Sequence, residues 1–197
     1  MSADGKNAVV HDADSHLISK PSAWVTRFTH LIPSGEVLDL ASGAGRHSRW
    51  LAGQGHPVLA VDRNADALAL AAGEGIQTQQ VDLENGNPWP FAAERFAGVV
   101  VVNYLHRPLW TKMIASLAID GILIYETFAL GNEQFGKPSN PDFLLRHGEL
   151  LEITHSHGLQ VIAYEDGYID TPKPAMVQRI CAIKSRHRLP PENLRLI

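Results

Sequence analysis

Cysteine is nearly missing from this chain of 197 residues. Cys181 is the only one, so neither an intramolecular disulfide nor a cysteine-based zinc cluster can form, and the usage suits a reducing compartment. A surplus of positive charge is missing too. Lys and Arg total 17 against 21 Asp and Glu, a formal net charge of -4, whereas a dedicated nucleic-acid binder carries a basic excess, so nucleic acid is disfavoured as a partner. No apolar run approaches the roughly 20 residues of a membrane span, and the polar start MSADGKNAVVHDADSH has no signal-peptide core. These absences lead us to expect a soluble, cytoplasmic protein without membrane partners. What is present, 45% hydrophobic and 19% charged residues without internal repeats, suits a single globular domain with its own core.

Residues 1–18 mix Ser, Asp, Asn and His without hydrophobic period and read as a loose N-terminal arm. Over 19–33, Trp24, Val25, Phe28, Leu31 and Ile32 recur at helical spacing, which predicts a covering helix opened by Pro21. From Glu36 the chain alternates EVLDL, GRHSRWLAGQG, VLAVD, NADALALAAGEG and IQTQQVD, the pattern of βαβ units. The fourth strand, AGVVVVN, is apolar on both faces, as a central parallel strand requires. A helix with Leu109, Trp110, Met113, Ile114 and Leu117 on one face follows, then GILIYETF as the fifth strand. Residues 129–146 carry two Gly, two Pro and two Asn and fit neither period, which predicts a long functional loop, a candidate lid. After the helix GELLEITHSH, the strands LQVIAYED and MVQRICAIK lie too close for a crossover and must pair antiparallel. Residues 185–197 read as a tail. The expected fold is therefore α/β, a Rossmann-like doubly wound, seven-stranded, mostly parallel sheet with a C-terminal antiparallel hairpin.

In VLDLASGAGRHSRWLA a strand ends on Asp39 and passes through Ala41, Gly43 and Gly45 directly into a helix. Glycines there allow a tight turn and close approach of a ligand to free N–H groups at the helix start, although any tight βα turn would use them equally well. The second strand ends at Asp62, an acid placed to accept both hydroxyls of a ribose. The pair points to an adenosine-containing cofactor. A dinucleotide fingerprint asks for a third glycine where Ser48 stands, and no Gly-Lys-Ser/Thr of a P-loop follows. Asp39 would repel a pyrophosphate but could hold the ammonium group of a methionine moiety, directly or through water, which favours S-adenosylmethionine.

The segments DLASGAGRHSRWLA, AVDRN, VDLENGNPWPF and FAGVVVVNYLH, in this order over about residues 34–106, resemble the cofactor motifs of class I S-adenosylmethionine-dependent methyltransferases. The resemblance implies a seven-stranded sheet with its last strand antiparallel. It also implies that Asp39, Gly43 and Gly45 line the methionine end, that Asp62 holds the ribose and that Arg63 flanks the adenine. Asp82 and the backbone at Leu83 would meet the adenine amino group. Ser42 replaces the commoner glycine. The small size and HGELLEI resemble more loosely the tellurite-resistance and thiopurine-type branch acting on small molecules.

Ligands of doubly wound sheets lie beyond the C-terminal strand ends, so the segments after the fourth and fifth strands should build the reacting face. Asn103, Tyr104 and Leu105 would border the cofactor, with Tyr104 also toward the substrate. His106 could take a proton from the acceptor or merely hold the helix start; Arg107 could clamp an anion or pair with a surface carboxylate. Glu126, Lys137 and Arg146 are further substrate candidates, and Phe135 and Phe143 would cover the cofactor or pin the loop. His155 and His157, two apart on a helix, cannot face one metal. Lys184, Arg186 and Arg188 could touch phosphates or end a solvated tail, and Cys181 reads as inert core. The expectation is methyl transfer from S-adenosylmethionine to a small-molecule nucleophile, and the positive charge of the candidate lid would suit an anion. An RNA methyltransferase and a non-catalytic S-adenosylmethionine-binding regulator are the rivals. The acceptor and the oligomeric state are not written in the motifs.

Overall fold

The computed structural model describes residues 20–185, so the expected arm and all of the tail but Ser185 lie outside the described residues. Helix α1 (Ala23–Phe28) is capped by Ser22, whose hydroxyl accepts the Trp24 N–H at 3.1 Å, and it runs into a 3-10 turn, Thr29–Leu31. The covering helix is thus shorter than the 19–33 expectation. There follow β1 (Val37–Leu40), α2 (Arg46–Gly53), β2 (Val58–Asp62), α3 (Ala65–Ala71), β3 (Ile76–Gln80) and β4 (Phe96–Val102). Then come α4 (Trp110–Ser116), β5 (Leu117–Phe128), α5 (Glu149–Ser156), β6 (Gln160–Ile169) and β7 (Ala175–Ile183). One seven-stranded sheet has the order β3-β2-β1-β4-β5-β7-β6; β7 inserts antiparallel between β5 and β6, and the other pairings are parallel. The expected hairpin and the switch of strand order between β1 and β4 are both present.

Because successive strand residues point to opposite faces, the apolar runs of the central strands feed two cores at once. Leu38, Val99, Val101, Leu123, Tyr125 and Ile180 pack on one face, with Trp110, Met113 and Leu150 of α4 and α5. Val37, Val100, Val102, Ile122, Ile124 and Cys181 pack on the other, with Trp24 and Phe28 of α1 and Leu51 of α2. All of β4 is buried, as a strand covered on both faces requires. Two boundaries differ from expectation. Leu117 opens β5 rather than closing α4, pairing with Phe96 before a register shift, with Asp120 at φ 63° between the pairs.

The second difference is in 129–146, which is more organised than its composition implied. It contains two 3-10 turns, Asn132–Gln134 and Pro141–Phe143, and its ends meet: Ala129 bridges Leu145, and the Leu130 N–H donates to the Leu145 carbonyl at 2.9 Å. Ala129, Asn132, Leu144 and Leu145 are buried. The base is therefore part of the fold, in the manner of an Ω-loop.

Candidate functional site

At the C-terminal ends of β1 and β2 the glycine loop is held from behind. The Ser48 hydroxyl, fully buried in the first turns of α2, donates to Asp39 Oδ2 at 2.5 Å. The two departures from a dinucleotide fingerprint are thus partners of one another. Burial raises the Asp39 carboxyl to about 6, the Ser48 bonds and the Arg46 charge opposing. Asp39 is buried against Ser48 and does not itself line the cleft, so a contact with an ammonium group would run through water or a shift of this side chain. Gly45, at φ 76°, has no room for a side chain: a Cβ would lie 2.5 Å from that of Ala71, so it is the close approach of α2 to α3 that demands glycine. Gly43 differs. It too is left-handed, at φ 54°, but a Cβ there would meet nothing within 4 Å, so open space lies over it. Its N–H donates to Asp62 Oδ2 at 2.8 Å, while Asp62 Oδ1 accepts the Asn64 N–H at 2.9 Å.

In front of this loop lies a cleft of about 490 Å³, a volume suited to a drug-sized ligand. Ala41, Asp62, Arg63, Asp82, Leu83, Asn103 and Tyr104 line it, all of them expected from the sequence, together with Leu105. Val81, Glu84, Thr127, Phe128 and Pro138 also line it and were not expected; Phe143 joins them from the loop. Burial, with the nearby Glu84 carboxylate adding to it, pushes the Tyr104 phenol's pKa up. Tyr125, buried beneath, donates its hydroxyl to the Tyr104 carbonyl at 2.7 Å and so fixes the β4 exit.

Thr127 was findable by strand parity. Tyr125 belongs to the core on the cleft side, so Thr127, two residues on, shares that face, and Glu126 must point the other way. Glu126 indeed reaches α1: Ser22 Oγ donates to both its oxygens at 3.0 Å, and Arg179 Nε stands 3.1 Å from Oε2, too bent for a hydrogen bond, as a charge contact. Burial raises the Glu126 carboxyl despite Arg179, Ser22 and Arg46. The Ser22 N–H donates to His47 Nε2, and burial, with Arg46 adding to it, lowers the His47 imidazole to about 3. Arg46, next to Gly45, is charge-coupled to both Asp39 and Glu126. This second polar cluster, on the α1 side, escaped the sequence reading because strands far apart in the chain assemble it.

The remaining candidates go elsewhere. His106 is half-buried before the 3-10 turn Arg107–Leu109 and does not line the cleft. Arg107 is committed: Nε and Nη2 donate to Glu149 at 2.6 and 2.9 Å, Nη1 to the Asp142 carbonyl at 2.8 Å and Nη2 to the Leu144 carbonyl at 2.9 Å. Burial acts to raise the Glu149 carboxyl, but the bonds and charges of Arg107 and Arg146 outweigh it and hold the group below its usual value. Arg146 pairs with Glu149 and Glu152, Lys137 is exposed, and neither lines the cleft. Phe135 turns away to pack on Tyr168, ring centroids 5.2 Å apart. Lys184 donates to the carbonyls of Ile114, Ala115 and Leu117 at the end of α4, which occupies it structurally. His157 closes α5 through Ile153 and bonds Thr111, and among the described residues no group of three or more His, Cys, Asp or Glu could hold a metal. Burial raises the Cys181 thiol to about 12, in keeping with inert core. Arg186 and Arg188 lie outside the described residues. No helix among the described residues is long and apolar enough to cross a membrane.

Residues 37–118 match the methyltransferase domain family. A protein-L-isoaspartate O-methyltransferase of Chlorobaculum tepidum is 30% identical over 146 residues, 71% of this chain and 64% of that protein. The chain thus spans less than two thirds of that relative's length. TehB from Haemophilus influenzae superposes with a TM-score of 0.66 at 18% identity, over 82% of this chain and 61% of that one. An S-adenosylmethionine-dependent methyltransferase from Mesorhizobium loti does so at 0.64 and 15%, over 82% of this chain and 98% of its own. The sheet order, the glycine loop and the strand-end acid agree with the methyltransferase domain matched over residues 37–118, and the fold is that of the class I S-adenosylmethionine-dependent methyltransferases.

Proposed function

We propose that the protein transfers the methyl group of S-adenosylmethionine to a small-molecule nucleophile. The observation that carries this is the cleft itself: the open space over Gly43 and the carboxylate of Asp62 adjoin a wall built from the ends of β2, β3, β4 and β5. The residues fit an adenosine. Asp62 spends one lone pair of each oxygen on a backbone N–H and keeps others for a diol. Arg63, Val81 and Leu83 offer sides to a flat base, and Asp82, whose Oδ1 accepts the Glu84 N–H at 3.0 Å, is aimed by its own turn. Arg46, beside the glycine loop, is a cation for the carboxylate of an amino-acid end.

Bound S-adenosylmethionine supplies an already activated, sulfonium-linked methyl group. The chain therefore has to hold donor and acceptor in line and keep water out. Asn103, Tyr104 and Leu105 set one edge of that alignment; Thr127, Phe128, Pro138 and Phe143 close the other. Among the described residues no histidine stands in the lining, so position and exclusion are what this wall contributes, and His106 serves as acceptor base only if its turn moves inward. A phosphate polymer is disfavoured here, since among the described lining residues Asp62, Asp82 and Glu84 stand with a single cation, Arg63.

Titration calorimetry tests the reading. S-adenosylhomocysteine should bind, and Asp62→Ala should weaken it by about 2 to 3 kcal/mol, the worth of charged hydrogen bonds lost from a ligand. Undetectable binding to the folded wild type, or unchanged affinity in the variant, overturns it.

A further inference from the structure

We infer that the acceptor sits on the wall formed by Thr127, Phe128, Pro138 and Phe143, and that it is an uncharged molecule with a flat apolar body and one polar handle. This rests on the methyltransferase reading above and specifies its substrate class, against the sequence expectation of an anion.

The cleft lining divides by origin. Among the described residues, those from the ends of β1 to β4 include every acid and the one cation of the wall; those from β5 and the following loop are a hydroxyl, two phenyl rings and a proline. The cations that the loop was expected to bring are elsewhere, since Arg107 pairs with Glu149, Arg146 pairs with Glu149 and Glu152, and Lys137 is exposed outside the lining. An anionic acceptor would meet Asp62, Asp82 and Glu84 with only Arg63 among the described lining residues to offset them. For a neutral ring the wall is favourable. Phe143 is 50% exposed, and covering such a surface is a hydrophobic gain with ring-stacking geometry available.

The wall is also held in place. Arg107 grips the carbonyls on either side of Phe143, those of Asp142 and Leu144, so this ring is fixed from both flanks. Asn132 Nδ2 donates to the Pro138 carbonyl at 3.0 Å and fixes the second element. Arg107 is thereby a positioning residue for the acceptor wall rather than a substrate clamp. The polar handle follows from Thr127. The residue is only 2% exposed, and it lies in the cleft wall. A hydroxyl in a cleft wall can donate one hydrogen bond to a ligand or accept one from it.

The experiment uses the full chain saturated with S-adenosylhomocysteine and a paired panel: phenol, aniline and benzyl alcohol against benzoate and phenyl phosphate. Ligand-observed NMR titration should show the neutral members binding at least tenfold tighter than the anions. Phe143→Ala should weaken the neutral members at least tenfold, and Phe143→Leu less. Thr127→Val should reduce the preference for hydroxyl- and amine-bearing rings over toluene severalfold, with Thr127→Ser restoring it. Anions binding as well or better, no neutral member binding, or variants matching the wild type would each overturn the inference while leaving the methyltransferase reading intact. Failure of S-adenosylhomocysteine itself to bind would overturn both.

Discussion

Asp39 and His47, both buried beside the glycine loop, titrate in opposite senses. The Asp39 carboxyl is raised from 3.8 to about 6, so between those values the folded state holds a proton that the unfolded chain has lost, and stability falls as pH rises. The His47 imidazole is lowered from 6.5 to about 3, so the unfolded chain holds the extra proton and stability rises with pH. The two slopes oppose one another between about pH 4 and 6. Asp39→Asn, which keeps an acceptor for Ser48, should leave the His47 slope exposed: relative to wild type, the variant gains stability as pH rises through this range, by up to about 3 kcal/mol. His47→Gln should do the reverse. Urea unfolding at pH 4, 5, 6 and 7 measures both difference curves, and parallel curves for wild type and Asp39→Asn would show that burial does not set this carboxyl.

Element packing explains why two glycines a single residue apart have different jobs. Gly45 keeps α2 against α3, and Gly43 keeps a ligand's approach open. Packing also settles Arg107, whose 3-10 turn after β4 places the guanidinium among loop carbonyls and a glutamate of α5 that is 3% exposed. Removing it leaves that carboxylate with the Arg146 N–H at 2.7 Å as its remaining short bond. Arg107→Met should therefore cost about 2 kcal/mol of stability and speed hydrogen exchange across residues 129–146. A clamp for a substrate would behave otherwise, losing turnover with stability and exchange unchanged. Exchange mass spectrometry with thermal unfolding separates the two. We expect the loop base at Leu130 and Leu145 to stay protected in every state, with protection of the tip by S-adenosylhomocysteine marking lid behaviour.

For the whole molecule, ligand binding and folding are linked by mass action. S-adenosylhomocysteine at a hundred times its Kd should stabilise the chain by about 2.7 kcal/mol, a rise in Tm of about 5 to 10 °C for a protein of this size. Single-stranded RNA at low salt should give no comparable shift, given the net charge of -4 and the engagement of Lys184 with the end of α4. Differential scanning fluorimetry reads both, and an RNA-induced rise equal to that of S-adenosylhomocysteine would restore the nucleic-acid rival.

Sequence alone determined what depends on local periodicity and turn chemistry. Alternating runs gave the order of strands and helices, AGVVVVN a strand buried on both faces, and the close LQVIAYED and MVQRICAIK runs an antiparallel pair, since no crossover fits between them. Asp62, Arg63, Asp82, Leu83 and Asn103 were legible because each follows a strand end, where a parallel sheet must present its ligand. Tertiary structure decided what depends on which side chains meet across long separations. Ser48 meets Asp39, Ser22 meets Glu126, and Arg107 meets Glu149 together with the carbonyls flanking Phe143. Each contact turns a residue that looked free for chemistry into a structural tie, because a buried charge or hydroxyl takes the partner that the fold brings to it.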